Sequence, residues 1–384
     1  MNYRNIKFLT YSDLEISLFI LIVSAIGSFI QIAGGSWDVT SHLLNQPESF
    51  FTPSHNILYS GIGIIVISAG IGSFLLRKKE IKQYYTSISL SFKLLIIGSF
   101  LSLIAGPFDY LWHQIFGFDG LLSPTHITLT TGMLINSVAV FIGLYGVINN
   151  KNNTISRWKN LGKLFLIPSL SSLWFTSIWY VFMFVLPFSE SEFFNFNLNI
   201  YSATLIASIF LPLVNSIMFL CSSKVFDNVF GYAFIIVYLL VLVNTFSNII
   251  PTGDLLSPLI PWYLVTVLGA SLLADILLNS RFIRINTQFK NNKFIASSIV
   301  GAIFYFFNYP MIVWTYGTFL NSNLESLNDV LPTFLNTIVS IIFITMPVGA
   351  VMGLIGYCIF SKIENSLNVL IKEKNNSKVM KSDH

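Results

Sequence analysis

Runs of about twenty apolar residues recur along the whole chain between short polar breaks. Each run is long enough to cross a hydrocarbon core of roughly 30 Å as a helix. Backbone groups in lipid have no water to bond, so they must be satisfied within the segment, and a helix does that. The pattern predicts ten spans, roughly at 15–35, 56–76, 86–106, 126–148, 164–187, 200–222, 230–250, 258–279, 294–315 and 333–360. The fold class is therefore all-α, a polytopic transmembrane helical bundle. The first run is too long and wrongly flanked for a cleaved signal peptide and reads as a retained signal-anchor helix. Polar breaks at 149–163 and 280–293 are the boundary candidates. The first separates a four-helix unit, 1–148, from a six-helix unit, 149–360. A basic tail, 361–384, is expected to begin as a short helix and end in disorder.

Composition agrees with lipid as the solvent. The 384 residues are 54% hydrophobic and 10% charged, against about 25% charged in soluble domains, and the mean hydropathy is +0.72. The only cysteines, Cys221 and Cys358, lie inside apolar runs, which leaves no disulfide framework and no CxxC metal motif. Basic residues are retained on the cytoplasmic side of a membrane. With both chain ends inside, every Lys and Arg except Lys93 falls in a cytoplasmic segment, whereas the opposite segments carry acids alone, among them Asp38, Glu48, Asp109, Asp119 and Asp254. A multi-pass protein of the cell membrane follows from this. The net charge of +4 reflects topology, and the scattered lysines suit contact with anionic lipid rather than nucleic acid.

The chemistry lies in a repeat. WDVTSHLLNQPESFFTPSHNILYSG, starting at Trp37, aligns without a gap with FDYLWHQIFGFDGLLSPTHITLTTG, starting at Phe108. Gly35, Asp38, His42, Glu48, Pro53, His55 and Gly61 match Gly106, Asp109, His113, Asp119, Pro124, His126 and Gly132, all at an offset of 71. Four of the five histidines fall in these two stretches. Each unit holds an even number of spans, so the copies share one orientation and an axis along the membrane normal should relate them.

Asp-x3-His sets a carboxylate and an imidazole one turn apart on one helix face. A second imidazole follows in Pro-x-His, where proline fits the first turn of the returning helix. Ser54 or Thr52, and Thr125 or Ser123, are the candidate caps. Each triad, Asp38/His42/His55 and Asp109/His113/His126, thus becomes a hairpin at the extracytoplasmic end. Two imidazoles and a carboxylate suit copper, zinc or non-haem iron and not the all-oxygen shells of magnesium or calcium. Three protein ligands leave positions open for water or a small-molecule substrate. Taken singly, such residues read as polar caps; their duplication argues for metal. Glu48 and Asp119 read as loop acids, and Trp37 and Trp112 as interfacial anchors or walls of the site.

Asp38-x3-His42-x8-Phe51-Thr52-Pro53-Ser54-His55 resembles the metal-binding motif in one membrane-embedded subunit of the copper membrane monooxygenases, the particulate methane and ammonia monooxygenases. Asp109, His113, Pro124 and His126 look like that family's second site, with Asp109 where the family has asparagine and a spacing one residue shorter. The resemblance spans about residues 15–148, and the chain continues for six further spans beyond it. It implies copper held by Asp38, His42 and His55, and by Asp109, His113 and His126. It also implies dioxygen chemistry and assembly with other membrane subunits.

No histidine occurs between 149 and the terminal His384, so the later spans read as scaffold, subunit interface or substrate cavity. The stretch from Pro251 to Pro258 faintly echoes Asp119 to Pro124, as a degenerate copy without ligands would. Lys93, buried in a span, is expected to snorkel or to pair with Asp275. Three functions stay open: a copper oxidoreductase or a subunit of one, a copper or zinc capture protein, and a zinc hydrolase using Glu48 or Asp119 as general base.

Overall fold

The computed structural model describes residues 3–43, 46, 49–79, 81, 86–117, 121–149, 156–186, 198–252, 260–279, 293–321 and 330–372. The described residues are all-α, with eleven helices: α1 Tyr3–Leu43, α2 Pro53–Leu75, α3 Thr86–Phe116, α4 Pro124–Ile148, α5 Ser156–Val185, α6 Ile200–Val225, α7 Tyr232–Thr252, α8 Ile260–Asn279, α9 Lys293–Asn321, α10 Val330–Ser340 and α11 Ile342–Lys372. Nine of these are long and apolar enough to cross a membrane. Leu, Ile, Phe and Val fill the interior, and an equally apolar set, including Phe19, Ile67, Phe100 and Val265, faces outward, as a bilayer requires.

The eighth expected span is α8, Ile260–Asn279, an apolar helix of 20 residues. Its Asp275 is buried and accepts from the amides of Gly231 (2.9 Å) and Phe234 (3.1 Å) and from Asn279 Nδ2 (2.6 Å). The carboxylate therefore caps the first turn of α7, where orphan amides attract an anion. Lys93 is exposed on α3, beside outward-facing Ile96 and Ile97. The tenth span, expected as one helix, is interrupted at Ile341 between α10 and α11. There the amides of Ile344 and Thr345 both turn back onto Ile341 O, and further on Pro347, lacking an N–H, cannot donate to Phe343 O one turn back. The echo between Pro251 and Pro258 falls mostly outside the described residues.

The first four helices pack as two hairpins, and glycines set how close the helices come. A Cβ on Gly61 would strike the backbone of Gln31 and Gly27; one on Gly132 would strike Ser102 and Gly98 O. These positions correspond across the offset of 71. Contacts between the hairpins are reciprocal as well. Gly72 of α2 lies against Phe92 of α3, while Gly143 of α4 lies against Leu21 of α1. Residue 72 maps to 143 and 92 maps to 21, the signature of a two-fold relation between the pairs.

The C-terminal helices pack onto this unit through polar ties. Ser36 Oγ donates to Asn244 Oδ1 (2.9 Å), Thr40 donates to Asn248, and Asn248 Nδ2 donates to Asn244 Oδ1 (3.0 Å). With i,i+4 spacing on both helices, α7 forms a two-rung ladder behind the turn of α1 that carries Asp38 and His42.

Candidate metal centre

Asp38 and His42 lie in the last turns of α1, and His55 lies in the first turn of α2. Pro53 opens α2 and Pro124 opens α4, so the Pro-x-His spacing delivers each second histidine to a helix start, as the sequence predicts. Asp38 and His55 are buried and His42 nearly so. Asp38 Oδ1 is 3.0 Å from His55 Nε2, and Oδ2 is 3.7 Å from His42 Nε2. The second triad repeats the arrangement: Asp109 Oδ1 is 3.3 Å from His126 Nε2, and Oδ2 is 3.4 Å from His113 Nε2.

Hydroxyls complete each carboxylate. Ser54 Oγ donates to Asp38 Oδ1 (2.9 Å), and Thr125 Oγ1 donates to Asp109 Oδ1 (2.5 Å). By sequence both are candidate caps. The cap of α4 is instead Ser123, whose Oγ accepts from His126 N (3.0 Å), and Thr52 makes no side-chain cap bond on α2. The hydroxyl at Pro+1 is thus a carboxylate partner, a role that the Pro-x-His pattern alone does not separate from capping.

The imidazoles are oriented from behind. His55 Nδ1 lies 3.0 Å from Ser49 O and His113 Nδ1 3.1 Å from Gly117 O. A carbonyl at Nδ1 accepts the ring N–H and leaves the lone pair of Nε2 facing inward, the usual support of a metal-binding histidine.

The hairpins bring the two triads together, which spacing could not reveal. The ring of His42 is 5.1 Å from that of His113 and 5.1 Å from that of His126, and His113 and His126 are 5.7 Å apart. Two donor sets result, Asp38/His42/His55 and His42/Asp109/His113/His126, each with ligand atoms within 4.8 Å of one another. His42 belongs to both. All six residues singled out by the repeat therefore meet in one cluster. Neutral imidazole nitrogens with a carboxylate, converging at this spacing, are a donor set that fits a transition-metal ion. Glu48 and Asp119 lie outside the described residues.

The copies are not equivalent in their surroundings. Tyr59 stacks on His55 at 5.4 Å, and its counterpart Thr130 leaves room beside His126. There a cavity of about 60 Å³ reaches Asp38, His42 and His126. Its walls are mainly apolar, with Leu129, Met133, Phe175, Trp179 and Met183 prominent. Thr130 Oγ1 is 3.3 Å from Met183 Sδ. Trp179 of α5 is thus a wall of the cavity, a role the sequence suggested for Trp37 and Trp112. Among the described contacts, Trp112 packs on Phe116 at 4.4 Å. Nothing in the local sequence of α5 marks Trp179 or Met183 as site residues, because only the packing of α5 against α4 carries them there.

The chain is a multi-pass membrane protein with buried His/Asp clusters able to bind metal. Comparison with protein-family models, with curated proteins and with solved structures finds no match for it.

Proposed function

We propose that the protein is a copper-dependent membrane oxidoreductase, or the metal-bearing subunit of one, acting on a small apolar molecule. The observation that carries this reading is the convergence of two His/Asp triads on His42 beside an apolar cavity. The resemblance of the stretch from Asp38 to His55 to the copper membrane monooxygenase motif adds copper and dioxygen to it. The distribution of basic residues supports an extracytoplasmic centre, and the resemblance supports other membrane subunits as partners.

Copper bound there would supply one-electron redox chemistry toward dioxygen. The chain's own residues do the rest. Asp38 and Asp109 would offset the charge of the ions, and Ser54 and Thr125, bonded to Oδ1, orient each carboxylate so that it turns one oxygen to each of two imidazoles. The backbone carbonyls of Ser49 and Gly117 hold two rings so that no reorientation is needed on binding. Leu129, Phe175 and Trp179 keep bulk water from the cavity and favour an apolar guest. A guest there lies against His126, His42 and Asp38, within reach of both donor sets.

The thioethers of Met133 and Met183 in the same cavity favour a second reading, capture and transfer of copper(I), since soft sulfur donors select that ion. Substrate turnover separates the two readings; a transfer protein binds copper and yields no product.

The test is elemental analysis with copper EPR on detergent-purified protein. His55→Ala should lose metal from the first set alone and His126→Ala from the second alone, whereas His42→Ala should deplete both. Zinc in place of copper, or metal content indifferent to all three changes, would overturn the proposal.

A further inference from the structure

A second cavity, of about 20 Å³, lies behind the first among α5, α6, α7, α8 and α9 and shares Phe175 and Trp179 with it. Three carboxamides line this chamber: Asn215 of α6, Asn244 of α7 and Asn308 of α9. Around them are aromatic side chains, Trp174, Phe182 and Phe304. Asparagine in the middle of a membrane-spanning helix is costly unless its polar atoms are bonded. Asn215 is fully buried, and only half of it is satisfied by protein. Its Oδ1 accepts from Trp174 Nε1 at 2.7 Å, while its Nδ2 has no hydrogen-bond partner among the described residues.

Size and chemistry narrow the occupant. One water needs a space of roughly 10–15 Å³ on this measure and two to four polar partners. The chamber meets the first condition and is smaller than the metal-side cavity. Asn215 Nδ2 supplies a donor, and the carboxamide of Asn308 supplies groups of either sense, while Asn244 Oδ1 is taken up by Ser36 and Asn248.

We propose that the Asn215/Asn244/Asn308 chamber is a built binding site for a single ordered water molecule. The site also touches the metal-bearing turn, because Asn244 holds Ser36 of α1, which lines the metal cavity two residues from Asp38. Phe175 and Trp179 border both cavities, so if the copper reading holds this water lies on the far side of the aromatic wall of the metal cavity. The water assignment itself does not depend on metal.

The test is X-ray pulse footprinting of the full chain in lipid nanodiscs, in which bound water is split to hydroxyl radicals that oxidise adjacent side chains, read by mass spectrometry. Phe304 borders the chamber and Phe92 does not, and both are buried, at 2% and 0% exposure. Phe304 should be oxidised several-fold faster than Phe92. Asn215→Leu should abolish the difference, and so should Asn308→Leu, which leaves the Trp174 hydrogen bond intact. Equal rates in the unmodified protein, or a difference that survives Asn308→Leu, would overturn the proposal. Metal content measured on the same samples fails or holds separately, so a failure here is distinct from a failure of the copper reading.

Discussion

Asp38 and Asp109 each face two imidazoles and one hydroxyl, and the hydroxyl is the part that reports whether the cluster is a metal centre. A second partner of a ligand fixes its orientation, and removing one typically costs 10–100-fold in metal affinity. Thr125→Ala should weaken metal binding at the second set by about that factor, and Ser54→Ala at the first, in chelator competition. Thr125→Ser keeps the donor and should restore most of the affinity. If these hydroxyls served only to cap helices, both alanine variants would lower thermal stability and leave metal affinity unchanged.

At the scale of helices, glycine spacing is what lets the ligand-bearing pairs close. Gly61 meets the backbone of α1, which cannot move aside, whereas Gly63, two residues on, has nothing within 4 Å of a Cβ. Gly61→Ala should destabilise the protein by roughly 1–3 kcal/mol through overpacking. Gly63→Ala should be neutral or slightly stabilising, because alanine is the better helix former. Melting curves in detergent give the comparison; equal melting temperatures would mean that the close crossing of α1 and α2 is not rigid.

Elements were largely legible in the sequence because each span is self-contained: its length and apolarity are local properties, and the Pro-x-His turns fix where α2 and α4 begin. The break at Ile341, where two amides share one carbonyl, and the bonds of Asp275 to the amides that open α7 are details of hydrogen bonding that hydropathy does not register. The triads were legible too, since the offset of 71 pairs Asp38, His42 and His55 with Asp109, His113 and His126. Their meeting at His42 was not, nor was the apolar cavity beside them. Both depend on how hairpins pack against each other and against α5, and no spacing within one hairpin encodes that.

For the whole molecule, the distribution of charge predicts which side of the membrane the centre faces. In a background with Cys358 replaced by Ser, Gln46→Cys at the ligand end should react with a membrane-impermeant maleimide in intact cells, and Lys79→Cys should react only after permeabilisation. Buried Cys221 should stay unlabelled in both. The reverse pattern would put the centre in the cytoplasm and exclude an extracytoplasmic supply of copper. The reciprocal contacts of Gly72 with Phe92 and of Gly143 with Leu21 reach further. An interface in which residue i meets j and j meets i is isologous, the kind by which two identical chains form a dimer. A single ancestral hairpin bearing one Asp/His/His set would have paired with its twin across the same dyad, with its histidines facing each other between the subunits. Joining the twins into one chain freed each from the obligation to match the other. The exchange of Tyr59 for Thr130, which lines the cavity beside His126, is the kind of divergence that a homodimer could never have fixed.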